Sequence, residues 1–366
     1  MNIVLATGIY PPDIGGPATY VRALAEELTS RGEHVTVITY GAEDSVEKDS
    51  WSVVKVKKGK AGITRWRRFA AALKEHAAEA DVIYCFSSVS VGVPLFMARL
   101  EKPLTALRLG GDFLWERYTD RGGRKGLRSF YISFPGTRAV MGKVLRAFDG
   151  LVYSTTFQER LAEFLFKKLP KHIVIENALP LHAAPISHEK QDLLHLLFLG
   201  RFVRFKNLPN LLQAVAKLPY VRLTLIGEGP EQERLEELIS RLAISNRVKI
   251  LPPVSSKDLT KVFAEHDLMV IPSLTEISPN AALEARAAGL PVLLTEETGL
   301  SAELSQGMVL KPMKTIEDIT RAIIEAEKNY PALAEHAASL VTAHRAWSEV
   351  AEETLAFFAT LSRKRK

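Results

Sequence analysis

The sequence predicts an α/β protein of two domains in series, each built on a doubly wound parallel sheet. Three observations carry this. Short apolar runs alternate with amphipathic helical stretches through both halves. The alternation breaks once, at the proline-bearing Asn177-Ala-Leu-Pro-Leu-His-Ala-Ala-Pro185, and then restarts. A length of 366 residues exceeds one α/β domain and suits two. Strand–helix alternation implies parallel pairing through right-handed crossovers.

In the first half, Ile3–Thr7, Val35–Thr39, Val53–Val56, Val82–Phe86, Leu104–Leu107 and Leu151–Tyr153 read as buried strands. The helix Ala18–Ser30 stops at Arg31-Gly32, directly before the next strand. Residues 82–100 form the most apolar window, but Ser87, Ser88, Ser90, Gly92 and Pro94 make it strand, loop and helix rather than a membrane span. In the second half, Leu194–Leu199, Arg222–Ile226, Val248–Leu251, Leu268–Ile271 and Val292–Leu294 read as strands. Helices follow near Leu208–Lys217, Pro230–Arg241, Lys257–Ala264 and Asn280–Ala288. Beyond Tyr330 the pattern is helical. The expected domains are residues 1–180 and 190–343, with 344–366 a final helical segment, amphipathic over Trp347–Leu361, that crosses back to brace the first domain. Loops at the carboxyl ends of both sheets would then face a cleft.

Apolar residues make up 47% and charged residues 25%, ordinary for a soluble protein. The single cysteine, Cys85, lies in the apolar run Val82–Phe86, which excludes a disulfide framework or a four-cysteine metal site and fits a reducing compartment. No signal peptide precedes the first strand, so the expectation is a cytoplasmic protein, with peripheral attachment to the inner face of a membrane as an extension. The net charge of +6 is unevenly placed. Residues 55–68 and 121–146 each hold seven basic side chains and no acid. Those segments suit an anionic membrane surface or a phosphorylated acceptor better than nucleic acid, which is not an expected partner.

Chemistry concentrates after the strand Leu268–Ile271, in Pro272-Ser-Leu-Thr-Glu-Ile-Ser-Pro-Asn-Ala-Ala-Leu-Glu284. Pro279 suits the first turn of a helix. Open amides there can hold a diphosphate, and a carboxylate can accept hydrogen bonds from vicinal hydroxyls of a ribose or a sugar. Taken singly, Glu276 reads as a capping acid and Glu284 as a solvated helix residue. Arg201 and Lys206 follow the strand end Leu199-Gly200, where two cations can neutralise charge developing on a diphosphate. Alone they read as loop cations. Gly15 and Gly16 lie between the first strand and first helix and permit close backbone approach to an anion or sugar. Gly227-Glu-Gly229 falls short of a dinucleotide fingerprint because Gln232 takes the third glycine position.

Together these residues resemble something specific. Glu276 and Glu284, separated by seven residues and followed by Ala-Arg-Ala-Ala-Gly-Leu-Pro-Val292, look like the E-x7-E signature of glycosyltransferase family 4, a retaining GT-B family. The glycine loop Tyr10-Pro-Pro-Asp-Ile-Gly-Gly-Pro-Ala18, Gly200-Arg201 with Lys206-Asn207, the Ile226-Gly-Glu-Gly-Pro230 turn and Trp347 extend the resemblance over nearly the whole chain. It implies a GT-B fold and a metal-independent, retaining hexosyltransferase acting on a nucleoside diphosphate sugar and a glycan or lipid-linked acceptor, in glycan, glycolipid or cell-envelope polysaccharide synthesis. No cofactor is implied beyond the donor.

Carried over by residue, Glu284 would hold the nucleotide ribose and Glu276 the transferred sugar. The backbone of Ile277, Ser278 and Asn280 would approach the sugar and diphosphate. Gly227 would lie beside the nucleotide. Ile-Ser-Pro-Asn replaces the family's usual Gly-Phe after the first glutamate. Asp112 stands near a point where the family often has a histidine, and reads equally as a hydroxyl-binding group or a turn residue. No Asp-x-Asp pair or histidine cluster marks a metal. Three alternatives stay open: a sugar-nucleotide epimerase or phosphorylase, a nicotinamide oxidoreductase, and a non-catalytic binding protein.

Overall fold

The computed structural model describes residues 1–13, 15–59, 62–179, 193–255, 257–340 and 344–362. The expected link beyond Leu179, Lys60 of the first basic segment and the tail 363–366 lie outside them. The chain divides into two compact units. One comprises Met1–Leu114, Tyr131–Ala178 and Arg345–Lys366, the other Trp115–Phe130 and Leu179–His344. Residues 115–130, expected in the first domain, thus group with the second unit.

The first unit holds eight strands: β1 (Asn2–Ala6), β2 (His34–Gly41), β3 (Ser45–Lys48), β4 (Ser52–Lys57), β5 (Val82–Cys85), β6 (Leu104–Leu109), β7 (Gly150–Tyr153) and β8 (Lys171–Val174). Their order is β3-β4-β2-β1-β5-β6-β7-β8, parallel except for β3 against β4. The apolar runs became the central strands because a strand covered on both faces must be apolar throughout. β3 and β8 were not expected. Ser-Val-Glu-Lys is largely exposed and polar, as suits a sheet edge, and β8 is only half-buried. One face of β1, β2 and β5 packs Ile3, Leu5, Val37 and Tyr84 against Val21, Leu24 and Leu28 of the helix Gly16–Ser30. The helix Trp347–Ala359 completes this core with Val350, Phe357 and Phe358. Trp347 meets Tyr20 edge-on at 4.9 Å, and Phe358 meets Tyr84 at 5.2 Å.

The second unit holds β9 (Leu194–Leu199), β10 (Val221–Ile226), β11 (Val248–Leu251), β12 (Leu268–Ile271), β13 (Val292–Thr295) and β14 (Val309–Lys311). The order β11-β10-β9-β12-β13-β14 is parallel throughout. Phe198, Leu211, Leu212 and Ile323 fill one core, and Met269, Ile271, Leu283 and Leu290 the other. In each sheet the winding reverses once, between β1 and β5 and between β9 and β12. At such a reversal the flanking crossovers leave in opposite directions, so the loops after the two central strands border an open crevice.

Candidate donor-binding site

The reversal in the second sheet brings together the loop after β9 and the loop after β12. After Leu199 the chain passes Gly200 and Arg201, buries Phe202, and makes a short turn at Arg204–Lys206. Asn207 then takes a left-handed conformation (φ 57°) and donates through Nδ2 to the Met313 carbonyl at 2.8 Å, launching the helix Leu208–Ala216. The loop after β10 lies directly against this turn. A Cβ on Gly227 would stand 2.0 Å from the Gly200 carbonyl oxygen, and one on Gly229 2.4 Å from that of Phe202. Both glycines also hold positive φ, so here the backbones can approach only without side chains. Gly227 packs against the residue preceding Arg201.

The second loop aims Glu276 back at the first. Lys206 Nζ lies 2.5 Å from Glu276 Oε1, with the two side chains 17% and 7% exposed. The buried Ser273 hydroxyl donates to the same oxygen. Both donors converge on Oε1, and no other described residue bonds the Glu276 side chain. The backbone holds the carboxylate equally firmly: Glu276 N–H donates to Glu297 O at 2.9 Å, and Gly299 N–H to Glu276 O at 2.6 Å. Leu274 N–H donates to Phe205 O at 2.8 Å, which ties the two loops together.

Beyond Glu276, Ile277 is buried, Ser278 half-buried and Asn280 exposed at the first position of the helix Asn280–Ala287. Pro279 caps that helix rather than entering its first turn. Glu284 lies inside the helix and is half-buried, not solvated. Its side chain bonds to no other described residue, and burial pushes its carboxyl up to about 7. Arg286, two residues on, is buried and donates to the carbonyls of Glu303 and Gln306. Arg201 is exposed, with no side-chain partner among the described residues. The structure therefore joins Lys206 directly to Glu276 and places Gly227 under the first loop. It joins neither Arg201 nor Glu284 to that pair by a direct bond.

Three candidates sit in the first unit. Gly15 caps the helix Gly16–Ser30 and accepts the Ala18 and Thr19 amides, while a Cβ on Gly16 would meet no other residue. Asp112 Oδ2 accepts a hydrogen bond from the Tyr131 hydroxyl at 2.6 Å. Burial, with Asp112 alongside, pushes the Tyr131 phenol up. Sequence reasoning missed Ser273, Thr275, Phe205 and Trp115. Ser273, a polar residue at a buried strand end and three before a glutamate, carried a usable signal; the others did not. No group of three or more His, Cys, Asp or Glu among the described residues could hold a metal ion.

Residues 15–178 match the glycosyl transferase 4-like domain, and residues 184–347 match glycosyl transferases group 1. D-inositol 3-phosphate glycosyltransferase of Mycolicibacterium smegmatis is 33% identical over 170 residues, 44% of this chain and 39% of that protein. The chain thus spans about two fifths of that relative, and its match to the Mycobacterium marinum protein of the same name covers 25% of it. Sucrose-phosphate synthase from Thermosynechococcus elongatus superposes with a TM-score of 0.81 at 19% identity, covering 98% of each chain. Anabaena HepE, solved with UDP and glucose, gives 0.73 at 16% identity, covering 99% of this chain and 100% of that one. With both halves matched and the two parallel sheets of the GT-B fold in place, the chain belongs to the family 4 type of glycosyltransferases.

Proposed function

We propose that the protein transfers a sugar from a nucleoside diphosphate sugar to an acceptor hydroxyl, with retention of anomeric configuration and no metal. The supporting observation is the part-buried Lys206–Glu276 pair at the winding reversal of the second sheet, 2.5 Å apart. Lys206 and the exposed Arg201 supply positive charge where the diphosphate would sit, the role a divalent ion takes elsewhere. Amides at the start of the helix Asn280–Ala287 add further donors. Glu276, with both protein donors on Oε1, presents Oε2 to sugar hydroxyls. Glu284 accepts from the ribose hydroxyls. In the transfer, the bond from anomeric carbon to phosphate oxygen breaks as the acceptor oxygen bonds the same carbon on the same face. The acceptor proton passes to the departing phosphate, so the reaction needs only donor and acceptor.

A thermal-shift screen against UDP-, GDP-, ADP- and dTDP-sugars identifies the donor. With that donor, transfer should persist in EDTA, and NMR should show the donor's anomeric configuration in the product. Glu276→Ala and Lys206→Ala should each lower kcat/KM by roughly 10²–10³-fold. Undiminished transfer by Glu276→Ala overturns the reading.

The acceptor side is proposed to work at an anionic membrane surface. In the first unit, Ile132, Phe134 and Val140 are 54%, 38% and 56% exposed beside Lys143 and Arg146, in a stretch without acids. The other basic segment suits this less. Lys55 pairs with Glu47 at 2.5 Å and Arg68 with Asp44 at 2.6 Å, which offsets its charge. No helix among the described residues is long and apolar enough to cross a membrane.

A further inference from the structure

Both members of the Lys206–Glu276 pair have a neighbour gripped by the same short stretch of chain. We propose that residues Trp115–Phe130 form a strap that positions the donor-binding loops, with Trp115 on the strap and Thr275 on the loop it holds as the positioning residues; this rests on the donor reading above. The chain leaves the first unit after Leu114 and rejoins it at Tyr131, and the residues between pack within the second unit. One strap contact falls beside Lys206: the Trp115 ring packs at 44° against Phe205 with centroids 5.1 Å apart. The other falls beside Glu276: Leu127 N–H donates to Thr275 Oγ1 at 3.0 Å. Thr275 and Leu127 are only 1% and 3% exposed.

The Thr275 hydroxyl works in both directions, accepting from the strap and donating to the Leu274 carbonyl at 2.8 Å. Gly126 permits this approach, since a Cβ there would lie 3.1 Å from Thr275 Oγ1 and 3.3 Å from Leu274 O. The strap is also internally braced. Trp115 Nε1–H donates to Lys125 O at 2.8 Å, and Tyr118 packs on Phe130 at 5.0 Å. A Cβ on Gly123 would overlap the Tyr118 ring at 2.3 Å, so any side chain there would displace that ring. A stretch serving only to cover apolar surface has no need of a buried hydrogen bond to the residue before Glu276. Replacing Thr275 by valine keeps the shape but leaves the buried Leu127 N–H without its acceptor, a cost the loop relieves by shifting. Because Thr275 adjoins the sugar-facing glutamate and Trp115 acts on the diphosphate-facing lysine, the two should fail differently.

The test is calorimetric titration of the full chain with UDP, GDP, ADP and dTDP, and with UDP-glucose, GDP-mannose, ADP-glucose and dTDP-glucose. The tightest nucleotide and its sugar then serve as paired probes. Thr275→Val should bind the nucleotide sugar roughly tenfold more weakly while holding the bare diphosphate within about twofold. Thr275→Ser, which keeps the hydroxyl, should restore the difference. Trp115→Leu should weaken both probes together. The proposal is overturned if Thr275→Val binds both probes as the wild type does. It is equally overturned if Thr275→Val loses both in parallel with a fall in Tm and Thr275→Ser shows the same loss. A wild type that binds none of the eight compounds overturns the donor reading itself, whereas wild-type binding with unaffected variants overturns the strap alone.

Discussion

Glu284, the residue proposed to meet the ribose, is a carboxyl whose charged form the fold disfavours. Burial pushes its carboxyl up to about 7 from a reference value of 4.5, and no side-chain partner among the described residues offsets that burial. Between those two values the folded protein binds more protons at this site than the unfolded chain. Stability contributed here is therefore present at low pH and lost as pH rises toward 7. Glu284→Gln should raise stability by roughly 1–3 kcal/mol at pH 8 and by little at pH 4, measured by denaturant melts at both. The same substitution should weaken nucleotide binding. Wild-type affinity should fall as pH drops through about 7, because a protonated carboxyl accepts fewer ribose hydrogen bonds. The glutamine variant should bind with no such dependence. A variant that is destabilised at pH 8, or that keeps the wild-type pH profile, would contradict this assignment.

At the level of elements, the packed turns after β9 and β10 carry a sharper expectation. Gly227→Ala would drive a methyl group into the Gly200 carbonyl, a backbone group, with the Phe202 ring 3.3 Å away. A loss of more than about 3 kcal/mol is expected, seen as a large drop in Tm. A variant with unchanged Tm would show that the two turns do not pack so closely. These elements also show what could be read in advance. The buried strands were readable because unbroken apolar runs of that length have few other solutions. Parallel winding predicted that the loops after β9 and β12 lie at one edge of the sheet, while the choice of Lys206 and Glu276 within them came from the resemblance. β3 and β8 were not readable, since an edge strand need not be apolar. Nor was the Trp115–Phe205 contact, because the spacing of residues along the chain carries no information about which distant ring an aromatic will meet. Asp112 stood open between two readings in the sequence, and its bond with Tyr131 adds a third use for it.

For the whole molecule, charge placement matters more than total charge. The exposed apolar trio and cations of residues 132–146 should bring the protein to vesicles containing phosphatidylserine at low salt and release it as ionic strength rises. Flotation measures this, and failure to float at low salt would refute membrane docking while leaving the transfer chemistry untouched. A different consequence follows from the helix Trp347–Ala359. It supplies Val350, Phe357 and Phe358 to a core whose other walls include β1, β2, β5 and the helix Gly16–Ser30. The ribosome must therefore translate all of the second unit before the first can be sealed. Until then Tyr20 lacks Trp347 and Tyr84 lacks Phe358, and the nascent first unit offers chaperones and proteases an open apolar surface. Synthesis order and completion order are reversed in this chain: the part made first is the part finished last.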